Sequence, residues 1–382
     1  MLILKIYRNL FNSRELKKIK SSNTCAAFAV KMLFLMLMDK TIIVTGGAGF
    51  IGSHTIIELL QQTNYTVVSI DNYSNSGKET YTRIEKITGK KIIYFDLDLC
   101  DWVSLNKNLS SLKNITGVIH FAAFKSVPES VADPLLYYHN NIESLINILR
   151  FCKEKNIPDF IFSSSCSVYG NIKKMPVTED SPLSKAESPY AYTKQIGEQI
   201  VESFTKTNSG FKSVVLRYFN PVGAHKSAQI GELPLGPPTS LVPIITRTAA
   251  GLISKMQVHG DTYDTRDGSC IRDYIHVTDI ADAHVKAVQY LIENKNKQNV
   301  SLFNLGTGTG VTVLEAIHSF EKVTGLKLNY EIGPRREGDV ESIYANNNLA
   351  KQELNWEPKF NIDAMMLSAW KWQQHLSEIK KN

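Results

Sequence analysis

The sequence predicts a doubly wound parallel α/β sheet followed by a smaller α/β domain, and three observations predict it. Short apolar runs alternate with longer segments whose apolar residues recur at helical spacing, the signature of strands crossed by helices on both faces. The first run, Ile42-Ile43-Val44, leads into Thr45-Gly46-Gly47-Ala48-Gly49-Phe50-Ile51-Gly52, a glycine turn that opens a helix. Nineteen residues after Gly52, Asp71 closes a second apolar strand. Together these describe a dinucleotide-binding turn. Gly46 serves a tight bend, Gly49 a close backbone approach to a pyrophosphate, and Gly52 the packing of helix on strand. The helix N-terminus then offers free N–H groups to the anion. A carboxylate at 71 accepts from ribose hydroxyls and repels a 2′-phosphate, which points to NAD over NADP.

Along the chain, strands are predicted at 41–45, 66–70, 91–95, 117–121, 159–164 and 212–217, with helices at 50–62, 137–155 and 190–207 between them. Around 221–240 glycine and proline accumulate (Pro221, Gly223, Gly231, Pro234, Gly236, Pro237, Pro238), marking the crossing into a less regular domain. The expected division is a cofactor-binding domain at 39–218 and a substrate-binding domain at 219–382. A helix over 278–294 passes back, so that part of 270–310 packs on the first domain. The second glycine cluster, Gly306-Thr307-Gly308-Thr309-Gly310, lacks an acid at the right distance downstream and reads as a turn.

At 382 residues with 43% apolar and 21% charged residues, the composition is that of a soluble globular protein. The net charge of +6 resides in residues 1–38, where seven basic residues accompany one acid; the remainder is balanced, which speaks against a nucleic-acid partner. The apolar run 25–38 is broken by Lys31 and too short to cross a bilayer comfortably. With no small-residue cleavage site behind it, a secretory signal is not expected. This basic leader reads as a dispensable or mis-assigned start, with translation beginning at Met38, in preference to an organellar transit peptide. Cysteines 25, 100, 152, 166 and 270 are odd in number and form no Cys-x-x-Cys pair, which predicts free thiols in a reducing compartment and no metal site.

Chemistry is expected where strand 159–164 ends, at Ser163-Ser164-Ser165. Downstream, Tyr190 and Lys194 stand four apart, on one helical face. A phenol titrates near 10, so a base at that position needs cationic help from the ammonium and a nicotinamide ring. Ser165 then orients a substrate hydroxyl. Tyr192 has Ile196 as its i+4 partner and is no candidate.

From about 39 to 375 the chain resembles the extended short-chain dehydrogenase/reductases, and among them the UDP-sugar 4-epimerases. The resemblance rests on Thr45–Gly52, Asp71–Ser76, His120–Lys125, Tyr137–Asn141, Ser163–Gly170, Tyr190 with Lys194, Leu216–His225, Arg272–Val277 and Pro334–Asp339; Arg217–His225 is its most specific part. It implies a Rossmann-type fold, resident NAD, a UDP-sugar substrate, a cytoplasmic homodimer built through 137–155 and 190–207, and interconversion of UDP-galactose and UDP-glucose. NAD contacts implied are Phe50, Ile51, Asp71, Asn72, Tyr73, Ser74, Asn75, Ser76, Asp98, Leu99, Phe121, Ala122, Ala123, Lys125, Asn140 and Phe219, with Ser165, Tyr190 and Lys194 as the catalytic triad. UDP-sugar contacts implied are Lys125, Ser165, Tyr190, Asn220, Ser240, Leu241, Arg272, Arg336 and Asp339, the arginines matching a diphosphate in charge and geometry. Two departures stand out. Thr239-Ser240-Leu241 replaces Asn-Asn-Leu, so a hydroxyl stands where an amide is usual. Ile343 occupies a position where bulky and small residues separate narrow from N-acetyl-accepting enzymes. A 4,6-dehydratase on the same fold needs an Asp-Glu pair after the strand-end hydroxyls; here Cys166 and Ser167 stand there.

Overall fold

The structure, a computed structural model, describes residues 40–336 and 339–379; the basic leader 1–38 lies outside them. The chain forms β1 (Thr41–Thr45), β2 (Thr66–Asp71), β3 (Ile93–Asp96), β4 (Ile115–His120), β5 (Asp159–Ser165), β6 (Lys212–Tyr218), β7 (Asn220–Val222), β8 (Met256–His259), β9 (Ile271–Arg272), β10 (Tyr274–His276) and β11 (Val300–Leu305). β12 (Val311–Thr312), β13 (Tyr330–Gly333) and β14 (Ser342–Ile343) follow. Seven strands make one parallel sheet in the order β11-β6-β5-β4-β1-β2-β3, a Rossmann-type arrangement. The strand order reverses between β1 and β4, which opens a crevice at their C-terminal ends.

Both faces of the sheet are covered, and the alternation within β1 explains how. Ile42 and Val44 pack into one core with Ile56, Ile280 and Phe303, while Ile43 joins the opposite core with Val68, Leu145 and Phe160. Each such fully buried aliphatic chain contributes about 1.5–3 kcal/mol. The first core lies under α1 (Phe50–Gln62) and the helix over Val277–Ile292. α2 (Glu79–Thr88) ends on Gly89 in the left-handed region, and α3 (Trp102–Leu109) begins on Asp101, whose side chain accepts from Ser104 N–H. α4 (Val127–Ala132) and α5 (Pro134–Tyr138) run into a π-helical turn, His139–Glu143, and then α6 (Ser144–Lys155). The stretch 137–155, expected as one helix, is thus interrupted. Asn141 causes the interruption's local bonding: its side chain accepts from Phe124 N–H and donates to Phe124 O and to Thr193 Oγ1. α7 (Pro189–Thr207) starts on Ser188, whose hydroxyl caps Ala191 N–H, with Pro189 in its first turn.

The remaining elements are α8 (Leu241–Ala249), α9 (Val277–Ile292), α10 (Val313–Thr324), α11 (Asn348–Glu353) and α12 (Ile362–Ile379). α8, α10 and α12 enclose a separate core of Val242, Ile245, Phe320, Met365 and Met366. Residues 277–305 belong with the large sheet: α9 packs on α1, and β11 extends the sheet beside β6. β11 was not among the predicted strands.

Candidate active site

The glycine turn sits at the crevice between β1 and β4. Gly46 adopts φ +67°, and a Cβ there would stand 2.8 Å from Ala122 N. A Cβ on Gly52 would come 2.3 Å from Gly46 O, so only glycine lets α1 start this close to the turn. Gly49 caps α1 without a side-chain hydrogen bond, leaving first-turn N–H groups directed at the crevice. Asp71 organises the neighbouring loop: Oδ2 accepts from Ala48 N–H at 2.9 Å, and Oδ1 from Tyr73 N–H and Ser76 Oγ, both at 2.9 Å. Asp98 accepts from Cys100 N–H and from Asn72 Nδ2, and Ser74 N–H donates to Asn72 Oδ1. Phe121, Ala122 and Ala123 leave β4 directly opposite the turn, with Phe121 N–H on Thr45 O. An uncapped helix N-terminus, a cradle that a Cβ would fill and an acid at the end of β2 fit a dinucleotide, whose pyrophosphate the turn would hold and whose adenosine ribose Asp71 would meet.

Other expected cofactor contacts are engaged within the protein. The Leu99 side chain is buried in the core beneath the sheet, and its carbonyl accepts from Asn147 Nδ2 at 2.9 Å. Asn140 donates to Asn141 Oδ1. Lys125 is paired with Glu232 at 2.9 Å, tying the loop after β4 to the 221–240 crossing. Phe219 is buried in a cluster with Val168, Tyr169, Ile343 and Ala345.

At the C-terminal end of β5, Ser165, Tyr190 and Lys194 come together. The Ser165 hydroxyl stands beside the Tyr190 phenol, and its oxygen accepts from Ser167 N–H at 3.2 Å. Burial pushes the Tyr190 phenol up to about 12, against the pull of Ser165. Lys194 is buried, donates to Ser163 O at 2.8 Å, and is lowered by burial to about 8 while Glu198 favours its charged form. Tyr190 is therefore a poor base alone and requires additional positive charge beside it. Tyr192 is exposed and edge-on to Tyr138, away from this group.

Sequence reasoning passed over the support beneath the triad. Glu198, one turn beyond Lys194, accepts from Arg217 Nε and Nη2 and from Ser164 Oγ. Arg217 in turn donates to Tyr169 Oη, which donates to Asn304. An acid four residues after Lys194, opposite an arginine on the adjacent strand, was the available signal.

Of the residues expected to hold a nucleotide sugar, Asn220 opens β7 and Arg272 closes β9. Asn220 Oδ1 is buried with no partner, an acceptor suited to a ligand donor. Arg272 donates to Ile271 O and Val340 O and lies 3.5 Å from Asp339, so two expected contacts meet each other. Arg336 stands near His259, whose cationic form it disfavours. Ser240 precedes α8 with a hydroxyl that makes no capping bond, and Leu241 begins the helix. Cys166 is a free thiol beside Ser165, and the Ser167 hydroxyl is buried without a partner.

The family profile described as GDP-mannose 4,6 dehydratase matches residues 43–368. A UDP-glucose 4-epimerase of Schizosaccharomyces pombe is 46% identical over 88% of this chain and 94% of its own. The UDP-glucose 4-epimerase of Bifidobacterium longum, in complex with NAD+ and UDP, superposes with a TM-score of 0.83 at 44% identity, covering 88% of this chain and 98% of that one. The enzyme of Stenotrophomonas maltophila, with bound NAD and formylated UDP-arabinopyranose, gives 0.85 at 42% identity over 89% and 99%. This chain, so similar over its length and in its fold to those enzymes, belongs to the UDP-glucose 4-epimerase family.

Proposed function

We propose that the protein interconverts UDP-galactose and UDP-glucose by epimerisation at C4, with NAD resident in the crevice. The observation that carries this reading is the Ser165–Tyr190–Lys194 group at the end of β5, on a chain that also holds the glycine turn and the unpartnered Oδ1 of Asn220. NAD supplies a hydride acceptor that returns what it takes, so the net reaction is redox-neutral. Ser165 orients the sugar C4 hydroxyl and Tyr190 holds its proton, with Lys194 supplying nearby positive charge. Arg272, Arg336 and Asn220 anchor the nucleotide, so the 4-keto sugar can present either face while UDP stays bound. Leu241, Ser240 and Asp339 complete that side. The dehydratase named by the matching family profile would require an acid-base pair where Cys166 and Ser167 stand, and neither supplies it.

Residues 39–218 then carry the cofactor and 219–382 the nucleotide sugar, with 277–305 shared. The four described cysteines are free thiols, in keeping with a cytoplasmic enzyme of galactose metabolism. No described helix is long and apolar enough to cross a membrane. A homodimer through α6 and α7 is supported by exposed Ile146 and Tyr192 on those helices, with exposed Leu135 on the preceding α5. Ile343, buried against Phe219 and Ala345, sets the room for a C2 substituent. The test is a coupled assay of UDP-galactose conversion with purified protein, extended to UDP-GlcNAc and UDP-pentoses. UDP-glucose formation supports the proposal; release of a dehydrated 4-keto-6-deoxy product would sink it.

A further inference from the structure

The glycine cluster 306–310 and Asp273 have no part in the reaction as described, yet they form one structure. The Asp273 side chain is fully buried. Its Oδ1 accepts from Thr307 N–H at 2.8 Å and from the Thr307 hydroxyl at 2.6 Å. Its Oδ2 accepts from Gly308 N–H and Ala345 N–H, both at 3.1 Å. A Cβ on Gly306 would stand 2.3 Å from Oδ2, so glycine is what lets the turn close on the carboxylate. The glycine turn is an anion cradle, and its anion is the protein's own.

Asp273 also sits at a junction. Its carbonyl accepts from Asn220 N–H at 2.9 Å. On one side of it Arg272, in β9, pairs in register with Ile343 of β14. On the other side Tyr274, in β10, pairs with Asn220 of β7. The cradle follows directly on Leu305, the last residue of β11 in the large sheet. We propose that Asp273 is the positioning residue of the nucleotide-sugar wall, fastening the strands that carry Asn220, Arg272 and Ile343 to the sheet that carries Ser165. This rests on the epimerase reading for the identity of the ligand, and on geometry for the rest.

In Asp273→Asn one acceptor oxygen becomes an amide that faces two N–H donors, and in Gly306→Ala the carboxylate is pushed aside but kept. Each variant, as the full chain with its NAD, is titrated with UDP by calorimetry and assayed with UDP-galactose. Both are expected to bind UDP roughly tenfold more weakly, the scale of one lost hydrogen bond to a buried charge. KM should rise by a similar factor, with kcat within about threefold of wild type and NAD content unchanged. Wild-type UDP affinity in both variants overturns the proposal, as does a fall in kcat that tracks NAD loss with UDP affinity intact. If Asp273→Asn does not fold, Gly306→Ala and Thr307→Val carry the test. A wild-type protein that binds UDP but leaves UDP-galactose unchanged removes the epimerase reading alone, because the UDP titration still decides the role of Asp273.

Discussion

Tyr190 and Lys194 are drawn in opposite directions by the same burial: the phenol is raised to about 12 and the ammonium lowered to about 8. Proton abstraction at neutral pH therefore depends on Lys194 remaining charged. As the pH of the free enzyme rises through about 8, Lys194 loses its proton and kcat/KM should fall. A profile flat to pH 9.5 would show that the ammonium is not needed. Stability runs the other way. Between about 8 and the ordinary lysine value near 10.5, the unfolded chain holds a proton that the folded chain has released, so this residue's contribution to stability rises with pH there. Tyr190→Phe should lower kcat by roughly a hundredfold or more while leaving bound NAD and the unfolding temperature unchanged; near-normal turnover would reassign the base. Tyr190 and Lys194 were legible from their i, i+4 spacing, whereas Asp273 was not, because nothing local marks a carboxylate whose partners lie 34 and 72 residues away.

Where elements meet, the closest approach is α1 on the turn that follows β1. Gly52→Ala would force a methyl into Gly46 O, at a cost of about 1–3 kcal/mol. A lower unfolding temperature and less NAD per chain are expected, measured by calorimetry and by absorbance of the denatured extract; wild-type values for both would mean the turn relaxes freely. A strand with an uninterrupted β-branched run, such as β1, is legible because burial on both faces favours apolar, β-branched residues along it. β11 escaped that reading. Val300-Ser301-Leu302-Phe303-Asn304-Leu305 is interrupted by polar residues, and Asn304 is tolerated because Tyr169 and the backbone of the Val177 segment bond it. The break at 139–143 is equally non-local, since Asn141 is held from the loop at Phe124 and from α7 at Thr193.

For the whole molecule, α5, α6 and α7 present Leu135, Ile146 and Tyr192 to solvent, with Leu135 76% exposed. Exposed large apolar side chains on neighbouring helices are the kind an isologous dimer buries. Light scattering should return twice the chain mass, and Leu135→Arg should shift it toward the monomer with the fold intact. A monomeric wild type would remove the dimer. The large sheet and the strands carrying Asn220, Arg272 and Ile343 are joined through 277–305 and the Asp273 cradle, so the two halves of the chain are expected to unfold in one transition.

What the sequence by itself determined is everything that rests on periodicity and short spacing. That covers the parallel sheet, the glycine turn with its acid, and the placing of Tyr190 and Lys194 one turn apart on a helix, because strand alternation, tight turns and helical faces are set within a few residues. Tertiary structure alone decided that Lys125 pairs with Glu232, that Arg272 meets Asp339, that the Leu99 side chain belongs to the core, and that the second glycine cluster holds Asp273. Each of these joins groups far apart in the chain. A polar group commits to such a partner only after the fold has removed water from around it.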